Sequence, residues 1–148
     1  NTLVSFHREN SRQGWDCFKT ISPDGGQTWG EVIPFPLPGC HRPVAGLLRD
    51  NRILITYRFL PGGPGWTQNF FVALTDKESA LATERNSAWV RIMPLDYDRS
   101  PASDTGYSGW VQFPDGEIYA VNYLMDEAPK AWIRGYSFYL EDLVLPVR

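Results

Sequence analysis

Two stretches of this chain can be laid over one another. LVSFHRENSRQGWDCFKTISPD, beginning at Leu3, and ILITYRFLPGGPGWTQNFFVALTD, beginning at Ile53, share one order of parts. Each is an apolar run ending in an aromatic residue or His plus Arg, then a loop, Gly-Trp, a second run, and Ser or Thr close to Asp. A weaker third copy, IYAVNYLMDEAPKAWIRGYSF, begins at Ile118. The landmarks align as Arg8, Arg58 and Tyr123, and as Trp15, Trp66 and Trp132. Further upstream, HRPVAGLLRDNRILITY matches GYSGWVQFPDGEIYAVNY, which sets Arg42 opposite Tyr107. A unit recurring at roughly 50 to 65 residues, with four strand-sized runs in it, is the size of a propeller blade.

The runs read as strands. Stretches of helical length and period are missing, and Gly and Pro recur every few residues. The pattern predicts strands over Leu3–His7, Asp16–Ile21, Val44–Leu48, Ile53–Tyr57, Asn69–Thr75, Ala88–Met93, Ser108–Phe113, Ile118–Tyr123 and Ala131–Tyr139. Turn signals sit between them: RDN at 49–51, PGGPG at 61–65 and PDG at 114–116. Only Lys77–Ser87 has room for a helical turn, as an excursion between two strands. The expected class is all-β, a β-propeller of four-stranded antiparallel blades and about half of a six-bladed ring. Within one domain the expected division is a partial blade over 1–36, a blade over 41–95 and a blade over 104–148, with LVLPV at 143–147 as a last outer strand. With 148 residues, 43% of them hydrophobic, the chain is long and apolar enough for a core. A formal charge of −3 argues against a general nucleic-acid binder. No apolar run approaches the roughly 18 residues of a membrane span, and no signal peptide is read. The opening Asn1 is expected to result from processing or truncation. Cys17 and Cys40 fit a disulfide or two free buried thiols.

SPDGGQTW, residues 22–29, is expected to form the turn between the third and fourth strands of a blade, with Thr28 starting the outgoing strand. Ser22, Asp24, Gly26, Thr28 and Trp29 form the pattern Ser-x-Asp-x-Gly-x-Thr-Trp, the Asp-box. Asp24 is placed to accept hydrogen bonds from N–H groups of its own turn. Gly26 supplies a conformation other residues resist. Trp29 is expected to fold under the turn and bury its ring between sheets. A degenerate version, Thr75-Asp76 and then Trp89, ends the second copy. The motif speaks for structure far more than for activity.

With the Asp-box and DTGYSGWVQFPDGEIYAVNY at 104–123, nearly the whole chain resembles the C-terminal part of a sialidase-like six-bladed propeller. The resemblance implies an exo-glycosidase acting on a terminal, acidic or neutral sugar, with Tyr107 at the nucleophile position. A neutral phenol avoids the repulsion that a carboxylate nucleophile meets at an anomeric carbon bearing a carboxylate. It needs a base to lower its effective pKa from about 10, and arginine forks to clamp the substrate carboxylate. Arg8 matches one such arginine. Where a second would stand the chain has Gln68, Asn69, Phe70 and Phe71, and Arg58 is the candidate stand-in. The glutamate that supports an arginine in this family falls at Tyr123 or Leu124, with Asp126 close by. The resemblance sets the acid/base Asp, the first arginine and the activating Glu before Asn1, and it implies a secreted or periplasmic protein. The rival reading is a carbohydrate-binding or scaffolding Asp-box propeller without chemistry.

The residues themselves supply further candidates. His41 and Arg42 occupy the loop position equivalent to Tyr107, which faces the propeller's centre, and are read as ligand contacts. Asp104 is a substrate-side candidate, with capping of the turn before Tyr107 as its plainer role. Trp66, in the Gly/Pro-rich loop, is a sugar-stacking candidate, whereas Trp110 reads as core. His7 is expected to be half-buried on its strand, and with His41 far away in sequence no zinc site is indicated. PGGPG lacks the Lys and helix of a phosphate loop. No metal and no cofactor are expected. The expected partners are a glycan and, because a propeller hides its edges by closing, either the rest of the ring or a second copy of the chain.

Overall fold

The computed structural model describes residues 1–64 and 67–143. Its strands form three antiparallel sheets. The first holds β1 (Leu3–His7), β2 (Asp16–Ser22) and β3 (Ile33–Pro38) in that order. The second holds β4 (Cys40–Leu47), β5 (Ile53–Phe59), β6 (Asn69–Thr75) and β7 (Arg91–Tyr97). The third holds β8 (Thr105–Gln112), β9 (Ile118–Leu124) and β10 (Trp132–Phe138). Each sheet is a meander in which consecutive strands pair. Two short helices, α1 (Lys77–Leu81) and α2 (Leu140–Leu143), complete the ordered elements together with one 3₁₀ turn over Arg85–Ser87.

Side-chain alternation explains how the sheets stack. Along β5, Ile53, Ile55 and Tyr57 join one core, while Leu54 joins the other. Along β6, Ala73 faces the first core and Phe70, Val72 and Leu74 the second. The middle sheet is therefore buried on both faces, which is why its strands read as continuous apolar runs. Cys17, Phe35 and Leu37 of the first sheet close one core, and Ile118, Ala120 and Phe138 of the third close the other. Cys17 and Cys40 are buried free thiols. Lys19 is fully buried, yet its ammonium donates to the Ser79 and Ala80 carbonyls of α1, both at 2.7 Å. Burial lowers its pKa to about 8.

The two outward faces differ. On the first sheet, Leu3, Ser5, His7, Phe18 and Thr20 alternate with the core residues, and the His7 ring bonds Thr20 Oγ1 at 3.0 Å. On the third, Val111, Tyr119, Val121 and Ile133 are exposed.

Several expectations are corrected. Among the described residues the middle sheet has four strands and the third has three, while the first has three, as expected of a partial blade. The outer strand expected from Leu143 onward begins in α2, and residues 144–148 lie outside the described residues. The strand expected to leave the turn at Thr28 begins instead at Ile33, as β3, whose sequence IPFPLP carries no strand propensity to mark it. A strand's N–H groups alternate between its two edges, so prolines at 34, 36 and 38 remove donors from one edge only, which suits a strand at the sheet border. His7 is exposed rather than half-buried, since its strand face meets no other sheet among the described residues. Trp29 is 46% exposed. Its ring lies over the turn, with Cζ2 3.9 Å from where a Cβ on Gly26 would sit, and the nearby core is already filled by Lys19, Phe35 and α1.

The polar part of that turn closes on itself. Asp24 Oδ1 accepts from Gln27 N at 3.0 Å and Thr28 N at 2.9 Å, and its Oδ2 from Thr28 Oγ1 at 2.7 Å. Ser22 Oγ accepts from Gly26 N at 2.8 Å, and Gly26 has φ 98°. The Thr28 N–H leads the causes that hold the Asp24 carboxyl at about 2. In the second sheet Asp76 caps α1 through Ser79 N at 2.7 Å and takes the Trp89 indole N–H at 2.7 Å.

Candidate functional site

The innermost strands of the middle and third sheets carry matched irregularities. Pairing slips between His41 and Val44 on β4, and between Gly106 and Gly109 on β8. At these bulges Arg42 has φ 54° and Tyr107 has φ 52°. Non-glycine residues seldom hold the left-handed region, and bulges re-aim side chains. Here the two bulges aim their side chains at one another: the Arg42 guanidinium carbon lies 3.6 Å from the centre of the Tyr107 ring. Tyr107 is 63% exposed, and its other neighbour is Tyr123, stacked at 6.0 Å between centroids. A guanidinium held over a ring face by cation–π attraction still has N–H donors to offer a ligand.

Arg58, 7% exposed on β5, stands beside this pair. Its Nη2 donates to Tyr123 Oη at 2.8 Å and to Asp104 Oδ1 at 3.2 Å, and its Nε donates to the Thr105 carbonyl. Tyr123 Oη in turn donates to Asp104 Oδ1 at 2.9 Å. Burial lowers the Arg58 pKa, opposed by Tyr123 and Asp104. Burial first and the Asp104 bond second raise that of Tyr123. Gly106 makes this fit possible: it has φ 143°, and a Cβ there would lie 2.8 Å from Arg58 Nη2.

His41 is 2% exposed next to Arg42. Burial, followed by the charge of Arg8, lowers its pKa to about 4, so the imidazole is neutral at neutral pH. Glu9 acts in the opposite sense. Glu9 is 3% exposed, its N–H donates to the Cys40 carbonyl at 2.8 Å, and its Oε1 accepts from Ser11 N. Among the described residues Glu9 Oε2, His41 Nε2 and Arg42 Nε are buried without a hydrogen-bond partner. Arg8 follows β1 and is exposed.

Thus Arg42 meets Tyr107 and Arg58 meets Asp104, the two pairs are joined through Tyr123, and Arg8 and His41 join them electrostatically. Trp66 lies outside the described residues. Trp110 is a packing residue: its ring covers Gly46, and its Nε1 donates to the Val44 carbonyl at 3.1 Å. The Asp104 carboxylate does not cap its turn, because it is taken by Arg58 and Tyr123; the turn's N–H groups go to Asp98 instead. Asp126 serves Arg99 and Arg134, away from the site arginines. The resemblance sets an arginine-supporting group at Tyr123 or Leu124, and Tyr123 does bond Arg58, as a phenol rather than a carboxylate; Glu9 was not singled out in the sequence. An apolar groove of about 310 Å³ lies at the opposite strand ends, between β1 and β4, lined by Leu3, Val4, Phe6 and Leu47 among others.

No protein-family model and no curated protein matches this chain. Two solved structures share its fold. One is the intramolecular trans-sialidase from Ruminococcus gnavus, in complex with oseltamivir carboxylate, with a TM-score of 0.54 and 15% identity over 99% of this chain. The other is the Penicillium chrysogenum α-L-arabinanase complexed with arabinobiose, with a TM-score of 0.52 and 14% identity over 92% of this chain. The chain covers 34% of the first and 39% of the second, little more than a third of either. Both are β-propeller enzymes, and the chain is an all-β assembly of antiparallel sheets of that fold.

Proposed function

We propose that this chain carries part of the active site of a glycan-acting hydrolase of the sialidase-like kind, which removes a terminal acidic sugar. The observation that carries the reading is the pair of left-handed bulges that bring Arg42 onto Tyr107 beside the buried Arg58. Tyr107 is the candidate nucleophile, its oxygen attacking the anomeric carbon as the glycosidic bond breaks, with water later releasing the sugar. Arg42 and Arg8 are the candidate clamps for the sugar's anionic group. Arg58, already held by Asp104 and Tyr123, contributes positive potential and fixes the wall behind Tyr107. His41, neutral, suits a sugar hydroxyl better than an anion. Ring closure, by further propeller or a second copy, belongs to the same reading, and the apolar outward face of the third sheet supports it.

A carbohydrate-binding module without chemistry is the second reading. It is favoured by the Tyr107 hydroxyl, which has no hydrogen bond among the described residues. The Tyr107→Phe variant separates the two. Assayed on umbelliferyl glycosides of acidic and neutral sugars, an enzyme loses at least about a hundredfold in turnover while glycan affinity stays. A binding module shows no turnover in either form and keeps its affinity.

A further inference from the structure

Asp98, in the segment between β7 and β8, is 4% exposed and spends its whole carboxylate on backbone donors. Its Oδ1 accepts from Ser100 N at 3.0 Å and Asp126 N at 2.9 Å. Its Oδ2 accepts from Asp104 N at 3.0 Å and Met125 N at 3.0 Å. Among the described residues it pairs with no Lys or Arg. Two of these donors belong to the segment that leads into β8, and two to the loop that leaves β9. The same two loops are joined once more by Met125 N and the Asp104 carbonyl, at 3.1 Å. Asp98 is itself anchored to the middle sheet, because its N–H donates to Asn69 Oδ1 at 3.1 Å.

We propose that Asp98 is a positioning residue of the site: one buried carboxylate locks the segment before β8 to the loop after β9 and so sets Asp104 and Tyr123 around Arg58. Asp104 is one of the four residues whose N–H it holds, and Tyr123 lies two residues before another. A carboxylate can take two donors on each oxygen. An amide cannot, because its NH₂ would face two N–H groups. The proposal deepens the glycan-site reading, since Arg58 and Tyr123 form the wall against which Tyr107 stacks.

The test reads geometry without substrate. Tyrosine labelled with ¹³C at Cζ is followed by NMR through an alkaline titration, and Tyr123→Phe assigns the signal. In the parent protein Tyr123 titrates above the ordinary tyrosine, under the influence of its burial, Asp104, Arg58 and Arg42. Asp98→Asn is expected to bring that titration down toward the ordinary tyrosine as the Asp104 bond loosens. The control is Asp24→Asn, a carboxylate that also holds backbone donors, but at the turn between β2 and β3; it lowers stability and leaves the Tyr123 signal in place. Asp98→Glu, which keeps the charge and pushes the loops apart by one methylene, gives the same readout if the Asn variant does not fold. A Tyr123 titration unchanged in a folded Asp98 variant overturns the proposal and leaves Asp98 a structural cap. Absence of hydrolysis in the parent protein overturns the catalytic reading alone, because the NMR signal does not depend on it.

Discussion

At the scale of single residues, the site is a set of charges held by local backbone exceptions. His41 shows the energetic side of this. Its pKa falls from 6.5 to about 4, so the unfolded chain takes up a proton between those values that the folded chain refuses. The stability it permits is complete above pH 6.5 and is lost as the pH falls toward 4. The ceiling of that loss is roughly 3–3.5 kcal/mol. Urea unfolding at a series of pH values should therefore show a steeper acid decline in the parent than in His41→Gln. Gly106 shows the steric side. Alanine there must displace the Arg58 guanidinium, which cannot retreat without losing Thr105, Asp104 and Tyr123. Gly106→Ala should destabilise the fold by about 1–3 kcal/mol and weaken binding of an anionic glycan. Denaturation and titration calorimetry would check the two effects.

Among elements, the loops after β1 and β5 are built to interlock. Gly14 has φ 72°, and a Cβ there would fall on the Pro61 carbonyl; Gly62, with φ 82°, meets Arg12 and Gln13 in the same way. Gly14→Ala should lower stability by about 1–3 kcal/mol and loosen Arg8 relative to Arg58, measurable as a lower Tm and faster amide exchange in both loops. Strands of this kind were legible in the sequence where apolar runs were long: β1 and β6 end where the pattern places them, and Arg42 and Tyr107 were matched by the repeat alone. β3 was hidden, since prolines at every second position mask a strand from any propensity argument. β4 begins at Cys40 rather than Val44, because its bulge interrupts the alternation that periodicity reads. Glu9 and Asp98 were hidden for another reason: their roles come from partners elsewhere in the chain, and a carboxylate bound to backbone N–H groups leaves no pattern in side chains.

For the whole molecule, the middle sheet is the shared wall of two cores. Leu54 and Ile55 are adjacent in sequence and fully buried, yet they belong to different cores. Leu54→Ala and Ile55→Ala should each cost about 2–5 kcal/mol. Because the two cores share β5, each variant should lower a single transition, seen alike by far-ultraviolet dichroism and tryptophan fluorescence; separate transitions would show that the sheets melt independently. The flanking sheets have a consequence of another kind. The outward side of one carries Leu3, Ser5, His7 and Phe18, and that of the other Val111, Tyr119, Val121 and Ile133. The two sides are different surfaces, so the body has a direction. Copies that join front to back form a closed ring where the rotation closes, two copies then being related by a two-fold axis, and an open filament where it does not.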